Sequence, residues 1–193
     1  MEHATLRDSA ARARLVAVAA DLFYRKGVPN VGINEIIDAA AIARMTLYHH
    51  FASKDDLVLA VLAQRCAERQ QGFAGAITRP RTARAKVIAA FEHLANVAAH
   101  PGYRGCAFVN AAAERADPDN AVHQLVAGHK TWIAAQFEVI ARAGKWPRPR
   151  LVAQQLLVLW DGAAVGAYLC GNVEPVVAAR AAAISLMPAT RRR

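Results

Sequence analysis

Apolar side chains recur every three or four residues along most of this chain, and that repeat is typical of one buried helix face. In the first segment it predicts a helix from about Ser9 to Lys26, and Gly27 suits the C-terminal end of that helix. No stretch alternates with a period of two for long enough to predict a strand. The pattern predicts an all-α fold of about nine helices, at residues 9–26, 34–40, 44–50, 53–71, 83–99, 106–116, 120–143, 150–170 and 175–187.

Two short predicted helices, 34–40 and 44–50, are adjacent and separated by a tight corner. Leu47 and Phe51 take the inward positions of the second helix, and no acidic residue lies within 40–53. A helix pair whose second element lacks negative charge suits an approach to DNA phosphates. That second element carries a polar and basic set: Arg44, Thr46, Tyr48, His49 and His50.

Amino-acid composition and net charge indicate the fold class more clearly than they indicate the function. Hydrophobic residues make up 55% of the chain, and much of this is alanine, which favours an ordered helical protein. The net charge of +9 points to an anionic partner, yet residues 1–54 hold only seven Lys/Arg against five Asp/Glu. The excess lies in Arg65–Lys86, Arg142–Arg150 and Arg191–Arg193, which we interpret as solvated helix ends and a tail. Net charge therefore permits DNA binding without establishing it.

Cysteine usage and hydropathy predict a soluble, cytoplasmic protein. Cys66, Cys106 and Cys170 are far apart and include no C-x-x-C pair, so we expect reduced thiols and no structural zinc. The N-terminal residues are charged before any apolar run, unlike a secretory signal. The most apolar later stretch, Leu151–Leu169, is interrupted by two glutamines and Asp161, which predicts a buried helix and not a membrane span.

The most specific motif is T-L-Y-H-H-F-x-S-K at residues 46–54. Together with L-F-x-x-x-G at 22–27 and I-x-x-I at 33–36, it resembles the DNA-binding domain of the TetR/AcrR family of transcriptional repressors over about residues 12–65. The resemblance implies a three-helix helix-turn-helix domain at the N-terminus. It also implies a larger helical domain that binds an effector and forms the dimer.

The expected domain boundaries follow from this resemblance and from local composition. We expect the helix-turn-helix domain at residues 1–54, with its motif at about 34–53. A connecting helix and linker occupy 55–82, and the effector-binding and dimerisation domain occupies 83–193. The joint is predicted at Gly72–Thr82, which is rich in glycine, proline and small residues.

Departures from the family pattern fall on the helix ends and the groove surface. The family usually has Thr or Ser ahead of its second helix, glycine in the corner and Ser or Thr capping the recognition helix. This chain has Val31-Gly32, Ala41 and Ala43 at those places. Each lost cap costs about 0.5–2 kcal/mol. Met45 replaces a common glycine, which places a bulkier apolar group at the DNA.

The motif residues are expected to play two kinds of role on DNA. Arg44 and Met45 lie where a recognition helix meets base edges, so Arg44 can pair with guanine and Met45 can touch a thymine methyl. Alternatively, Tyr48 is a partly buried core aromatic, which can hold together with a phosphate contact, and His49 and His50 form a surface pair with one packed ring. The expected phosphate contacts, which position the helix without reading sequence, are Asn34, Thr46, Tyr48, His49 and Lys54.

One recognition helix is too small to specify a site, so two are expected, about 34–36 Å apart on a palindrome. The long apolar segments Leu151–Cys170 and Val173–Met187 are the predicted homodimer interface, and Gly162-x-x-x-Gly166 allows close helix approach. Packing within the chain on the same face is the alternative, and both can hold. In the family the last two long helices commonly form a four-helix bundle between subunits, which agrees.

The region between about residues 84 and 168 mixes aromatic side chains with a few polar groups, as small-molecule pockets do. Glu114 or His129 is the expected polar contact. The predicted ligand-binding residues are Phe91, Tyr103, Phe108, Asn110, Glu114, His129, Trp132, Phe137 and Trp160. The sequence thus predicts a repressor that binds a double-stranded operator as a dimer and is released by a small-molecule effector. No cofactor and no metal are expected.

Other functions are compatible with parts of the sequence. A metal or thiol sensor on the same scaffold would use Cys106, His123 or His129. An enzyme would pair Cys106 with a histidine, but no phosphate-binding glycine loop or metal-ligand motif occurs, so we do not expect an enzyme. An architectural DNA binder without an effector is a further alternative, marked by steep salt dependence without sequence preference.

Overall fold

The computed structural model describes residues 2–115, 117 and 119–188, with side chains from residue 8 onward. This part of the chain forms nine α-helices and no strand, which confirms the predicted all-α class. The helices are α1 (Glu2–Lys26), α2 (Ile33–Ala40), α3 (Arg44–His50), α4 (Lys54–Thr78), α5 (Ala83–Ala98), α6 (Ala107–Ala113), α7 (Ala121–Ala143), α8 (Pro149–Cys170) and α9 (Glu174–Leu186). The basic tail Arg191–Arg193 lies outside the described residues.

Most helix ends fall within a residue or two of the prediction because local signals determine them. Gly171, at φ 66°, ends α8 in the left-handed conformation that glycine adopts without strain. Thr82 begins α5, and its hydroxyl accepts a hydrogen bond from the Ala85 amide at 3.1 Å. Two helices are longer than predicted, since α1 begins at Glu2 and α4 continues to Thr78.

The predicted end of α4 near Gln71 is wrong. The helix runs through both glycines that suggested a joint, Gly72 and Gly75, and only residues 79–82 connect it to α5. A Cβ placed at Gly72 would lie 2.9 Å from Nε2 of His93, so this glycine permits close packing. Phe73, which follows it, is fully buried, and that burial outweighs the roughly 1 kcal/mol cost of a helical glycine.

The contacts divide the chain into two compact units. The first contains Met1–Ala67 and Ala107–Val126, and the second contains Glu68–Cys106 and Ala127–Arg193. The domain boundaries predicted at residues 54 and 82 separate functional domains and not packing units. They therefore stay a prediction. In the first unit α1 packs against α2 and α3, and in the second unit α5, α8 and α9 pack against one another.

Each unit has its own apolar core. Leu15, Ile36 and Leu47 are completely buried in the first unit, and they bring one face each of α1, α2 and α3 inward. The second unit buries a larger cluster that includes Phe91, Phe137 and Leu156. Across the described residues, no helix combines the length and the apolar character needed to cross a membrane.

Candidate nucleic-acid interface

The corner between α2 and α3 is built by backbone hydrogen bonds and not by side-chain caps. Gly32 and Ala43 stand at the N-terminal ends of the two helices, and neither makes a side-chain capping bond. Ala41 closes α2 in the left-handed conformation, at φ 50°, with its amide bonded to the Asp38 carbonyl. The Ala43 carbonyl then accepts the amides of Thr46 and Leu47 and starts α3. The departures from the family pattern therefore correspond to real missing caps.

The outer face of α3 carries the side chains predicted to meet DNA. Met45 is 78% exposed and Tyr48 is 43% exposed, while Arg44 and His49 are also exposed. Neighbouring members of this set are one, three or four residues apart, so they share one face of the helix. On the opposite side the completely buried Leu47 anchors α3 in the core. At 43% exposure Tyr48 is both accessible to DNA and partly buried, so its phosphate contact stays a prediction.

Arg44 and Asn34 form a side-chain pair across the corner. The Arg44 guanidinium donates a hydrogen bond to Oδ1 of Asn34, and both residues are exposed. Asn34 was predicted as a phosphate contact, and that remains a prediction. The hydrogen bond gives Asn34 a second role, because its side-chain oxygen holds the Arg44 guanidinium in one orientation before DNA binds.

The two histidines of the motif take different environments. His49 is exposed, whereas only 6% of the His50 side chain is accessible, as expected for a surface pair with one packed ring. The Asp8 carboxylate on α1 lies 3.7 Å from Nε2 of His49 and 3.2 Å from Nε2 of His50. Thr46, also predicted at a phosphate, is half-buried.

Lys54 is half-buried and already has a partner within its own unit. Its ammonium donates a hydrogen bond to the Val28 carbonyl at 2.6 Å and lies 6.0 Å from the centre of the Phe23 ring. Burial and, secondarily, the Arg115 guanidinium lower the pKa of Lys54, although Asp55 and Glu114 oppose this. A phosphate contact by Lys54 therefore stays a prediction, and it would compete with the carbonyl.

Glu114, whose role as a polar ligand contact stays a prediction, supports the loop between α1 and α2. Its Oε2 accepts the Val28 amide at 3.0 Å, over a sequence separation of 86 residues. The next residue, Arg115, donates to the Asp55 carboxylate at 2.6 Å. Neither contact has a local sequence signal, so sequence reasoning missed both. The end of α6 is thus bonded to two segments that flank the helix-turn-helix motif.

The second unit contains a cluster of aromatic rings where a pocket was predicted. Trp132, Phe137 and Trp160 surround Phe73, which the sequence analysis did not select, and Phe91 packs on Phe137 and Trp160. Ring centres in this cluster are 5.5–6.3 Å apart, and most pairs meet edge to face. Such packing fits both a structural core and the wall of an apolar site.

The other predicted ligand contacts do not all join this cluster. Tyr103 packs on it, and its hydroxyl donates to the Ala164 carbonyl at 3.0 Å. Phe108 and Asn110 belong to the first unit, as Glu114 does, so the residues predicted to line one chamber are divided between the two units. Phe108 is buried and Asn110 is exposed.

His129 is a buried polar side chain in the second unit, only 5% exposed. Burial lowers its pKa to about 4, and the positive charges of Lys130 and Arg69 act in the same direction. The pKa of the half-buried His93 is also lowered, first by burial and then by Arg69. The His129 ring is therefore neutral at pH 7, so it can donate one hydrogen bond and accept one.

Cys106 has a cationic neighbour. Nζ of Lys130 lies 3.7 Å from the Cys106 sulfur and also forms an ion pair with Asp161. The Lys130 ammonium thus donates a hydrogen bond to the Cys106 sulfur. Among the described residues, no three His, Cys, Asp or Glu side chains are grouped as a metal site would require.

Comparisons with known proteins agree with the geometry of α2 and α3. The family profile "Bacterial regulatory proteins, tetR family" matches residues 15–61. A solved TetR-family transcriptional regulator from Streptomyces coelicolor is 32% identical, with a TM-score of 0.85, over 92% of this chain and 95% of that one. The reduced form of NemR from Escherichia coli superposes with a TM-score of 0.82 at 22% identity, over 94% of this chain and 100% of that one.

Among the curated relatives, one is a transcriptional repressor and another is a transcriptional activator. The transcriptional repressor NemR from Escherichia coli is 24% identical over 86% of this chain and 87% of its own length. The transcriptional activator FasR from Mycolicibacterium smegmatis is 33% identical over 95 residues, which are 48% of this chain. That match spans only 43% of FasR. Because the Streptomyces coelicolor regulator matches nearly the whole chain at 32% identity, this protein belongs to the TetR family of transcriptional regulators.

Proposed function

We propose that this protein is a ligand-responsive transcriptional repressor that binds a palindromic operator as a homodimer. The observation that carries the proposal is the outer face of α3, where Arg44, Met45, Tyr48 and His49 are exposed together. No acidic residue lies within 40–53 to repel phosphates. Arg44 and Met45 would contact bases, and the neighbouring polar residues would hold the backbone.

A stripe of exposed side chains along α8 supports a dimer. It is spaced by three and four residues, which is the repeat of a helix-packing seam. Val158 and Leu169, at 71% and 74% exposure, are the most exposed apolar members. Gly162 lies between them, and its Cβ position has no described atom within 4 Å. The stripe comprises Leu151, Gln155, Val158, Gly162, Val165 and Leu169.

The outer face of α9 continues this surface with small side chains. Val177 is exposed, and Ala178, Ala181 and Ala182 beside it are exposed as well. Small residues allow two helices to approach closely, so the α8 stripe and this face suit a second copy of the chain. A dimer would supply the two α3 helices that a palindromic site requires.

The second unit supplies the basis for a response to an effector. Its aromatic rings and the buried, neutral His129 have the composition of a site for a largely apolar small molecule. An effector would release DNA only through a higher affinity for the conformation that does not fit the operator. Release by a factor of 100 requires about 2.7 kcal/mol of such preference.

Selection of binding sites from a random duplex pool tests the DNA-binding half of the proposal. The full-length protein should enrich an inverted repeat. The Arg44→Ala variant should no longer select a particular base pair at one position of each half-site. A mobility shift with candidate effectors on the enriched duplex then tests release. Enrichment of no inverted repeat by the folded wild-type protein would contradict operator binding.

A thiol-responsive sensor is a second candidate, favoured by the Lys130 ammonium 3.7 Å from the Cys106 sulfur. A peroxide would oxidise the thiol to a sulfenic acid and release one water molecule. Treating the protein with hydrogen peroxide should weaken binding to the enriched duplex in wild type and in Cys170→Ser. The Cys106→Ser variant should not respond, and equal loss in all three proteins would contradict this candidate.

A further inference from the structure

The positive charge of this DNA-binding protein lies mainly outside the unit that carries the helix-turn-helix motif. The first unit holds nine Lys/Arg and ten Asp/Glu, whereas the second holds fifteen Lys/Arg and five Asp/Glu. The recognition helix therefore does not account for the net charge of +9. Without Arg191–Arg193, which lie outside the described residues, the second unit still holds twelve Lys/Arg against five Asp/Glu.

Eight cations of the second unit occupy the ends of two connectors. Four lie within residues 79–86, in the connector after α4 and the first turn of α5, and four lie within residues 142–150, in the last turn of α7, the connector after it and the first turn of α8. Six of the eight are exposed, and Arg84 and Lys86 are half-buried. We name this set the basic end: Arg79, Arg81, Arg84, Lys86, Arg142, Lys145, Arg148 and Arg150.

The two connectors meet in the folded unit. A Cβ placed at Gly144 would lie 2.7 Å from the Cβ of Ala83, so the start of α5 touches the end of α7. Trp146, in the second connector, is buried in the core of this unit and fixes that segment. Every member of the basic end lies within six residues of Ala83 or Gly144 along the chain. The eight cations therefore share one region of the surface.

Acidic residues do not balance these cations. The segments 69–91 and 139–160 contain no Asp or Glu. Glu138 pairs with Arg142, and Glu92, the first acid after α5 begins, pairs with Arg180. Among the residues that the structure describes, the basic end thus keeps a large positive excess, which attracts anions over about 8–10 Å at physiological salt.

The placement of several cations opposes helix stability. Arg84 lies in the first turn of α5 and Arg150 in the first turn of α8, where the helix dipole already contributes positive charge. Lys145 and Arg148 adopt left-handed backbone conformations, at φ 54° and 50°, in which asparagine or glycine would be less strained. Because stability does not explain these residues, binding of an anion is the better explanation.

We propose that the basic end binds the phosphate backbone of double-stranded DNA without reading its sequence, as a second DNA contact separate from α3. Six of its eight residues are arginines, whose planar forks match phosphate oxygens in pairs. Within residues 79–86 and 142–150 the one large apolar side chain, Trp146, is buried, so these segments expose no aromatic side chain of the kind that forms the centre of a protein interface. Prolines 80, 147 and 149 stiffen both connectors.

The test measures binding of the full-length protein to a random-sequence duplex over a range of KCl concentrations. Two variants each remove two exposed cations, Arg79→Gln/Arg81→Gln and Lys145→Gln/Arg150→Gln. A matched control, Arg104→Gln/Arg180→Gln, removes the same charge from the same unit but outside the basic end. Each basic-end variant should bind about tenfold more weakly at low salt, with a log–log salt slope reduced by about 2. The control should stay within twofold of wild type.

A second arm asks whether one protein can hold two duplexes. A biotinylated duplex with the enriched site should capture a labelled random duplex through the wild-type protein, and both basic-end variants should lose this capture. Their affinity for the enriched duplex alone should stay within about twofold. Unchanged capture, or equal competition by polyglutamate at the same charge concentration, would overturn the proposal. Failure of the wild type to bind any enriched duplex would instead contradict operator binding.

Discussion

At the scale of single residues, the helix-turn-helix surface depends on contacts that reach it from distant parts of the chain. The Glu114 carboxylate accepts the Val28 amide, and the Lys54 ammonium donates to the carbonyl of the same residue. Both polar groups of one loop residue are thus bonded to charged side chains. Charge-assisted bonds of this kind contribute about 1.5–3 kcal/mol each when partly buried. They hold the α1–α2 loop beside the motif.

Gly27 and Glu114 should be energetically coupled. Gly27 has φ +82°, and a Cβ placed on it would lie 2.8 Å from Oε1 of Glu114. Gly27→Ala should therefore destabilise the fold by about 2 kcal/mol or more, through backbone strain and this clash. In a Glu114→Ala background the clash disappears, so the same substitution should have a smaller effect. Urea unfolding of the four proteins of the cycle checks this, and strictly additive effects would contradict it.

His129 should make the stability depend on pH. Its folded pKa of about 4 lies below the usual 6.5, so the unfolded chain binds the proton more readily between these values. Stability is therefore complete above pH 6.5 and decreases as the pH falls toward 4. At pH 5 this one group should lower the free energy of unfolding by about 2 kcal/mol relative to pH 7.

The measurement is urea unfolding of wild type and His129→Gln at pH 7 and pH 5. The difference between the two pH values should be about 2 kcal/mol smaller in the variant. His93→Gln serves as a comparison, because the pKa of that ring is lowered in the same direction while the side chain is only half-buried. An identical pH dependence in wild type and His129→Gln would show that the buried ring is not responsible.

At the scale of elements, α2 and α3 form despite unfavourable residues at their ends. Ala41 takes a left-handed conformation that costs a non-glycine residue about 1–2 kcal/mol. Ala43 has the extended conformation of an N-cap, at φ −65° and ψ 147°, but lacks a capping oxygen. Burial of Ile36 and Leu47 holds both helices in place. The motif is therefore stabilised by its core more than by its ends.

Restoring these ends should stabilise the first unit. Ala41→Gly should gain about 1 kcal/mol by removing strain, and Ala43→Ser should gain about 1 kcal/mol by capping α3. Ala39→Gly, at an exposed position within α2, is the matched control and should lose about 1 kcal/mol. Thermal unfolding compares the variants, and a destabilised Ala41→Gly protein would disprove the strain at this corner.

The ends of the helices are predicted well from the sequence where local signals determine them. They are predicted poorly where packing between distant residues determines them. The bounds of α3 were predicted to the residue, Arg44–His50, because the motif and its inward Leu47 leave little choice. The length of α4 was missed because Gly72 and Gly75 indicate a break unless the neighbouring His93 is known. The same limit applies to the candidate sites.

The surface of α3 follows from helical spacing alone, so the exposed DNA-facing residues could be listed from the sequence. The bonds of Glu114 and Arg115 join positions 86 and 60 residues apart, and no periodicity reports such contacts. The placement of Glu114 and Phe108 in the first unit was missed for the same reason. Phe73 was missed because it lies between Gly72 and Gly75, which indicate a break in the helix.

At the scale of the whole molecule, the proposed dimer explains a surface that a monomer would leave apolar. Val158→Glu places a charge in the α8 stripe and should convert a dimer of twice 20.8 kDa into a monomer, because like charges would meet across a two-fold axis. Val139 is 63% exposed on α7, outside the stripe, and Val139→Glu is the matched control. Sedimentation equilibrium measures both masses. A Val158→Glu protein that sediments like wild type would place the interface elsewhere.

The central claim is that paired α3 helices bind DNA. The most direct measurement is a mobility-shift titration of the folded protein on its enriched inverted repeat and on one isolated half-site, with Arg44→Ala and Val158→Glu alongside. We predict two chains per inverted repeat, an affinity at least 100-fold above that for the half-site, and a loss of about 1–3 kcal/mol per half-site in Arg44→Ala. Equal affinity for both duplexes, unchanged by Arg44→Ala, would contradict the claim.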